Sequence, residues 1–250
     1  MNVLHIAVRE LRSAFSSAVG WLVLCGWLLV TGLFWISMVQ NYVVQSQDLV
    51  FNPYAGSELR LADYQLGPFF GNCAVLLIMV VPAISMRLFS EEVKQRTLEL
   101  LLTSPISTLD IVLGKFLGAF FIVILMLVGT LHGPAALYIW ATPDPGPILG
   151  GYAGLALLGA SLLSLGLFAS ACTANQIVAM VSTFAGALAL LAMQWMSRDP
   201  NDLPAQISIL GHLNDLLQGA VKLSDVVYYL AFTGLFLFAT HQRMESYRWK

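Results

Sequence analysis

Six runs of mostly apolar residues dictate what this chain can fold into. A helix needs about 20 such residues to cross the hydrocarbon of a bilayer, and residues 18–39, 66–86, 116–137, 148–171, 177–196 and 223–240 all approach or exceed that length. The first five contain no Asp, Glu, Lys or Arg, and the sixth carries only Asp225 near its start. With 58% hydrophobic and only 10% charged residues, against about 25% charged in soluble domains, the chain has no soluble fold that would hide its apolar excess. The fold class that follows is an all-α integral membrane protein with six transmembrane helices in one domain over 1–250. A net charge of −2 without a basic stripe excludes nucleic acid as a partner; the lipid bilayer is the first one.

The distribution of Lys and Arg sets the orientation. With the N-terminus inside, six spans return the C-terminus to the same side. The inner segments then hold nine basic residues (Arg9, Arg12, Arg87, Lys94, Arg96, Lys115, Arg243, Arg248, Lys250) and the outer ones three (Arg60, Arg198, Lys222). That bias puts both termini in the cytoplasm. Trp21, Trp140, Trp195, Tyr228 and Tyr229, near the ends of the runs, suit an interfacial belt. No A-x-A-like site follows the run that opens at Ala18, so a cleaved leader is not expected. Cys25, Cys73 and Cys172 are too scattered for a disulfide framework or a zinc site and read as small packing residues.

Outside the spans, the first fifteen residues place Leu4, Val8, Leu11 and Phe15 on one helical side with Arg9 and Arg12 off it, the pattern of a helix lying in the membrane surface. The first outer loop, about 40–65, is polar with room for a short helix. Ile207, Leu210, Leu213 and Leu217 recur at helical spacing and predict an outer amphipathic or re-entrant helix before span six. There His212 and Asp215 are candidates for contact with a periplasmic partner or for orienting the loop.

The stretch "SEEVKQRTLELLLTSPISTLDIVLGK" between spans two and three gathers seven of the chain's 26 charges. At about 2.5–3.5 kcal/mol per charge at the bilayer centre, it must lie in water. Ser90 as N-cap and Glu91 and Glu92 in the first turn predict a helix over about 90–104, stopped before Pro105. Ser107 and Asp110 resemble a capping box that restarts a helix into span three. On physical grounds alone the segment is either an ordered helical V or a solvated connector.

Three chemistries have candidate groups inside the chain. Gly114-Lys115 is no ATP site, because the positions a phosphate loop needs as Gly and Ser/Thr are Leu109 and Phe116. Ser161, Ser164 and Ser170 with His132 supply the groups of an intramembrane hydrolase, but "GASLLS" is not a nucleophile elbow. Small residues such as Gly150 and Gly154 read instead as close-packing positions. An ion-coupled transporter usually carries intramembrane charges; Asn72, His132 and Gln194 are the most polar groups in the first five spans. Pro82 and Pro134 are candidate kinks.

The charged stretch with its continuation "FLGAF" resembles the loop between spans two and three in ABC transporter permeases of the second exporter class: two acids, Thr-Leu-Glu, Ser-Pro, then Gly-Lys entering a helix. "LGHLNDLLQGAVKLSDVVYYLAFTGLFLFAT" and "AVRELRSAFSSAVGWLVL" are similar to the closing and opening segments of the gliding-motility permease GldF and its relatives. The resemblance implies a permease without an ATPase site of its own, pairing with a second permease copy or paralogue in a bacterial inner membrane. ATP and Mg would be held by a dimer of separate ATPase subunits, and a membrane-anchored periplasmic-domain subunit is a further possible partner. In such a complex the 90–104 segment acts as a coupling helix. Carried over, the ATPase contact falls on Glu91, Glu92, Arg96, Thr97, Glu99 and Leu100, with a smaller one on Thr173, Ala174 and Asn175.

Overall fold

The computed structural model describes residues 2–51, 62–98, 106–140, 143–196, 202–220 and 222–248, and all their regular elements are helical. Six helical stretches are long and apolar enough to span a membrane: Ala18–Gln47, Tyr64–Lys94, Thr108–Ile139, Pro145–Cys172, Gln176–Met196 and Leu223–Tyr247.

The first helix, α1 (Asn2–Ser16), has two apolar faces. Ile6, Ala7 and Ala14 are buried against α5 (Thr108–Gly129), while the stripe predicted to meet the membrane stays outward, with Leu4 and Val8 exposed. Gly114 and Gly118 of α5 make this packing possible: a Cβ on Gly114 would lie 2.7 Å from Ile6 Cβ, and one on Gly118 would lie 3.0 Å from the Ala7 carbonyl oxygen. This is the small-xxx-small spacing that lets helix backbones approach.

Helix α2 (Ala18–Phe51) runs 34 residues, about 51 Å at 1.5 Å per residue. It overshoots the predicted end at 39 because "QNYVVQSQDLVF" contains no Gly or Pro to stop it. A π-helical turn (Ala62–Leu66) leads into α3 (Gly67–Ser85), and a short α4 (Ser90–Lys94) follows. Pro82 lies in the last turn of α3, close to its natural end. Helix α5 starts at Thr108, as Ser107 predicted: the Ser107 hydroxyl accepts from the Asp110 N–H at 3.1 Å. It breaks at Thr130–Leu131 before α6 (His132–Trp140), so Pro134 falls in a first helical turn, where a missing N–H costs little. The break frees the Met126 carbonyl, because the Thr130 N–H turns to Leu127. The buried indole of Trp27 donates to that carbonyl at 3.0 Å and ties α2 to α5.

Helix α7 (Pro145–Cys172) is the hub, packing against α3, α5, α8 (Gln176–Met196), α10 (Gly211–Leu217) and α11 (Leu223–Arg248). In their most apolar windows the third and fourth spans are 61% buried and the first and fifth only 17%. The outer helices therefore present Leu22, Leu29, Leu33, Ile177 and Val181 to lipid or to another protein.

The outer amphipathic segment is two short helices, α9 (Leu203–Ile207) and α10, not one. The Ser208 hydroxyl accepts from the Gly211 N–H at 3.2 Å and restarts the chain at a new angle. Leu213 and Leu217 of the predicted stripe are buried, whereas Ile207 is half-exposed. Gly150 and Gly154 of α7 receive α10; a Cβ on Gly150 would sit 2.3 Å from the Leu216 carbonyl oxygen. Tyr229, expected in the aromatic belt, is fully buried and donates to the Ile209 carbonyl at 2.5 Å, while Trp21 and Trp195 are exposed as the belt requires. Of the cysteines, Cys73 packs in the core and Cys25 and Cys172 are exposed.

Candidate functional site

The charged stretch begins with α4, whose first turn is capped from far away. Ser90 is not the N-cap; its hydroxyl turns back to the Met86 carbonyl. The cap is Ser170 of α7. Its hydroxyl oxygen accepts from the N–H groups of Phe89 and Ser90, both at 3.0 Å, and donates to the Met86 carbonyl at 3.0 Å. A hydroxyl has one donor and two acceptor positions, so Ser170 is fully used.

Helix α4 then stops well short of the predicted end at 104. The Thr97 N–H reaches the Glu92 carbonyl at 3.0 Å, the Arg96 N–H reaches the Val93 carbonyl at 3.3 Å, and Arg96 has φ 56°. This is a Schellman closure with a left-handed residue just beyond the helix. The backbone is helical again at Leu98. Glu99 and Leu100 lie outside the described residues.

The first-turn acids have different fates. Among the described residues, the Glu91 carboxylate accepts from the Gln95 amide alone, at 3.2 Å. Glu92 turns inward to Lys115 of α5, Oε1 to Nζ 2.8 Å. Lys115 also meets Glu10 of α1 at 3.0 Å, and Arg9 flanks both acids at 3.5 and 3.7 Å. The Lys115 side chain is 2% exposed and its ammonium lies 5.2 Å from the centre of the Phe89 ring. A charge this buried is tolerated only when paired, and here two carboxylates from two other helices pair it. Glu92 is thus an internal tie among α1, α4 and α5, whereas Arg96 and Thr97 are exposed.

Helix α4 packs on α7 and α8, so it shares one end of the bundle with the turn that joins them. In that turn the Thr173 hydroxyl accepts from the Asn175 N–H at 3.1 Å, and the Asn175 side chain caps α8 by accepting from Ile177 N–H at 3.0 Å. Ala174 and Asn175 are exposed. The structure therefore gathers Glu91, Arg96, Thr97 and residues 173–175 at one end. One tie there went unforeseen: Thr108, at the start of α5, hydrogen-bonds His241 at 3.2 Å and Glu245, both on the extension of α11.

The hydrolase groups do not assemble. Ser161 donates to the Tyr229 carbonyl at 3.3 Å or pairs with Thr233 at 3.2 Å, and Ser164 donates to the Ser161 carbonyl at 2.8 Å. His132 instead faces the Gly129 carbonyl at 2.8 Å.

At the opposite end of α7, His212 of α10 joins Asp225 of α11. Its Nδ1 lies 2.8 Å from Asp225 Oδ1, its Nε2 lies 3.0 Å from the Gln206 carbonyl oxygen, and its ring stacks on Tyr228 with centroids 4.2 Å apart. With Nε2–H donating to the carbonyl, one proton sits between Nδ1 and Asp225. His212 is therefore an internal latch that orients the loop. Asp215 accepts from Lys222 at 2.5 Å on the surface, and its carboxylate holds the Lys222 ammonium above the usual lysine range.

No curated protein matches the sequence. The sequence pattern of the ABC-2 family transporter proteins, however, matches residues 4–242. That span runs from the first turn of α1 to His241 and Gln242 of α11, leaving out the end of α11 that bears Glu245. A chain of six membrane helices matched over nearly its whole length is a multi-pass transport component, and it belongs to the ABC-2 transporter family.

Proposed function

We propose that this chain is the permease of an exporter-type complex in the bacterial inner membrane, moved by a separate dimer of ATPase subunits that hold ATP and Mg. The ATPase grips the surface made by α4 and the 173–175 turn, with Glu91, Arg96, Thr97, Ala174 and Asn175 in contact and Glu99 and Leu100 continuing it. Glu92 belongs to the same element but transmits rather than touches. The observation that carries this reading is the anchoring of α4: five residues long, it is bonded to α7 through Ser170 and to α1 and α5 through Lys115. A push on α4 therefore moves those helices as a block, the rigid-body coupling that switching by nucleotide requires. Both termini face the cytoplasm, and a second permease copy covers part of the exposed outer helices. The likeness of its two ends to gliding-motility permeases favours work on a periplasmic-domain subunit, met near Asp215 beside the His212 latch.

The test is a charge reversal on the exposed surface. In the complex co-purified with its ATPase, Arg96→Glu with Asn175→Arg should weaken assembly or cut stimulated ATP turnover about tenfold, as mismatched interface charges do. Assembly and turnover equal to wild type would remove the coupling role.

A further inference from the structure

Beside the charged cluster lies a cleft of about 890 Å³ between α1, the end of α3, α4 and α5, within the range of small-molecule sites. Its ionic lining is Arg9, Glu10, Arg87, Glu91, Glu92 and Lys115, three charges of each sign. Four of these neutralise one another: Lys115 and Arg9 against Glu10 and Glu92. What remains is one cation and one anion. Arg87 makes no hydrogen bond or ion pair with any described residue, and Glu91 has only the neutral Gln95 amide. In addition, Glu92 Oε2 is buried with no partner among the described residues, an acceptor in need of an N–H or O–H.

Arg87 also lines a second, shallow groove, which is apolar: Phe15, Val19, Val23, Ile84 and Ile122. Ala14, Ile84, Arg87 and Ile122 are common to both, so the polar cleft and the apolar groove adjoin. The surroundings have the features of a helix lying at a membrane surface. The outward stripe of α1 is apolar, and the exposed Trp21, its indole donating to the Phe15 carbonyl at 3.0 Å, stands at the α1–α2 corner.

We propose that this cleft binds a phospholipid whose headgroup carries both a phosphate and a primary ammonium. The phosphate pairs with Arg87 at the junction. The ammonium reaches Glu91 and supplies the missing donor to Glu92 Oε2, and one acyl chain follows the groove between α1 and α3. The match is in charge and in hydrogen-bond polarity. A choline headgroup has the same charges but no N–H, and a glycerol headgroup has hydroxyls but no cation. The site shares Glu91 with the proposed ATPase surface, so it is tested on the chain without an ATPase, where its failure and that of the ATPase contact are distinguishable.

The experiment is native mass spectrometry of the purified full chain in detergent, titrated with phosphatidylethanolamine, phosphatidylcholine, phosphatidylglycerol and free phosphoethanolamine. Phosphatidylethanolamine should bind about tenfold more tightly than the other two lipids, the worth of one charge-assisted contact, and free phosphoethanolamine should bind far more weakly. Arg87→Gln should weaken phosphatidylethanolamine about tenfold, and Glu91→Gln should narrow its advantage over phosphatidylcholine. Equal affinity for the three lipids, or binding untouched by both substitutions, overturns the proposal. Free phosphoethanolamine binding as well as the lipid overturns the acyl groove. On the unmodified chain, phosphatidylethanolamine with a photoreactive acyl chain should label peptides containing residues 14–23 and 83–88. Labelling spread evenly over the outer helices would overturn it equally.

Discussion

The two ends of α7 solve opposite problems with the same materials. Gly150, where α10 docks, and Ser170, where α4 begins, are 20 residues apart, about 30 Å along a helix and equal to the thickness of a bilayer's hydrocarbon. At the α10 end the charges are local: His212 and Asp225 are 13 residues apart, Asp215 and Lys222 seven, and they hold α10 and the turn after it to the span that follows. At the α4 end Lys115 draws its partners from 105 residues upstream and from another helix, beside an open cleft. One end is a self-contained lock. The other ties together elements far apart in the sequence.

Substitutions at the two ends should expose this contrast. The largest effect belongs to Lys115→Ala, which leaves Glu10 and Glu92 facing each other in a buried site, at a cost of about 3–5 kcal/mol. Thermal melting of the chain in detergent reads it. Lys115→Met combined with Glu10→Gln and Glu92→Gln should recover most of that loss. Asp225→Ala at the other end should cost about 1.5–3 kcal/mol, the value of a hydrogen bond to a charged partner. Limited proteolysis should then open the chain only around α9 and α10, not near α4. Between the two ends, Trp27→Phe strips the Met126 carbonyl of its donor and should cost about 1–3 kcal/mol, with increased hydrogen exchange at the α5–α6 break. The smallest effect is a gain: Arg96→Gly relieves a left-handed residue and should add about 0.5–1 kcal/mol to the melting stability without altering the Lys115 cluster.

Local chemistry was legible in the sequence and distant pairing was not. The six spans and the Ser107 cap depend on neighbours within a few residues, and the structure agrees with both. The cap of α4 comes from 80 residues away, so Ser90 was credited with a job that Ser170 performs. The same distance hid the role of Glu92. The unpaired Lys115 at the mouth of an apolar run was the available signal, and Glu10, in another apolar stretch, its natural partner. The Gly114 and Gly118 spacing that seats α1 is visible in "LGKFLGAF", whereas Gly150 and Gly154 mark a close-packing face without naming its partner, α10. The break at Gln95–Thr97 had no local warning, because nothing but Arg96 itself occupies the left-handed position that glycine usually marks.

The distant cap has a consequence for how the chain is made. Five residues cannot nucleate a helix unaided, and the hydroxyl that completes α4 leaves the ribosome 80 residues later, about 4–16 s at ordinary synthesis rates. Until the fourth span is in the bilayer, the 90–98 segment has no fixed shape for any other subunit to read. The ATPase contact proposed above would therefore form only after insertion has passed that point, an order of assembly set by a single serine.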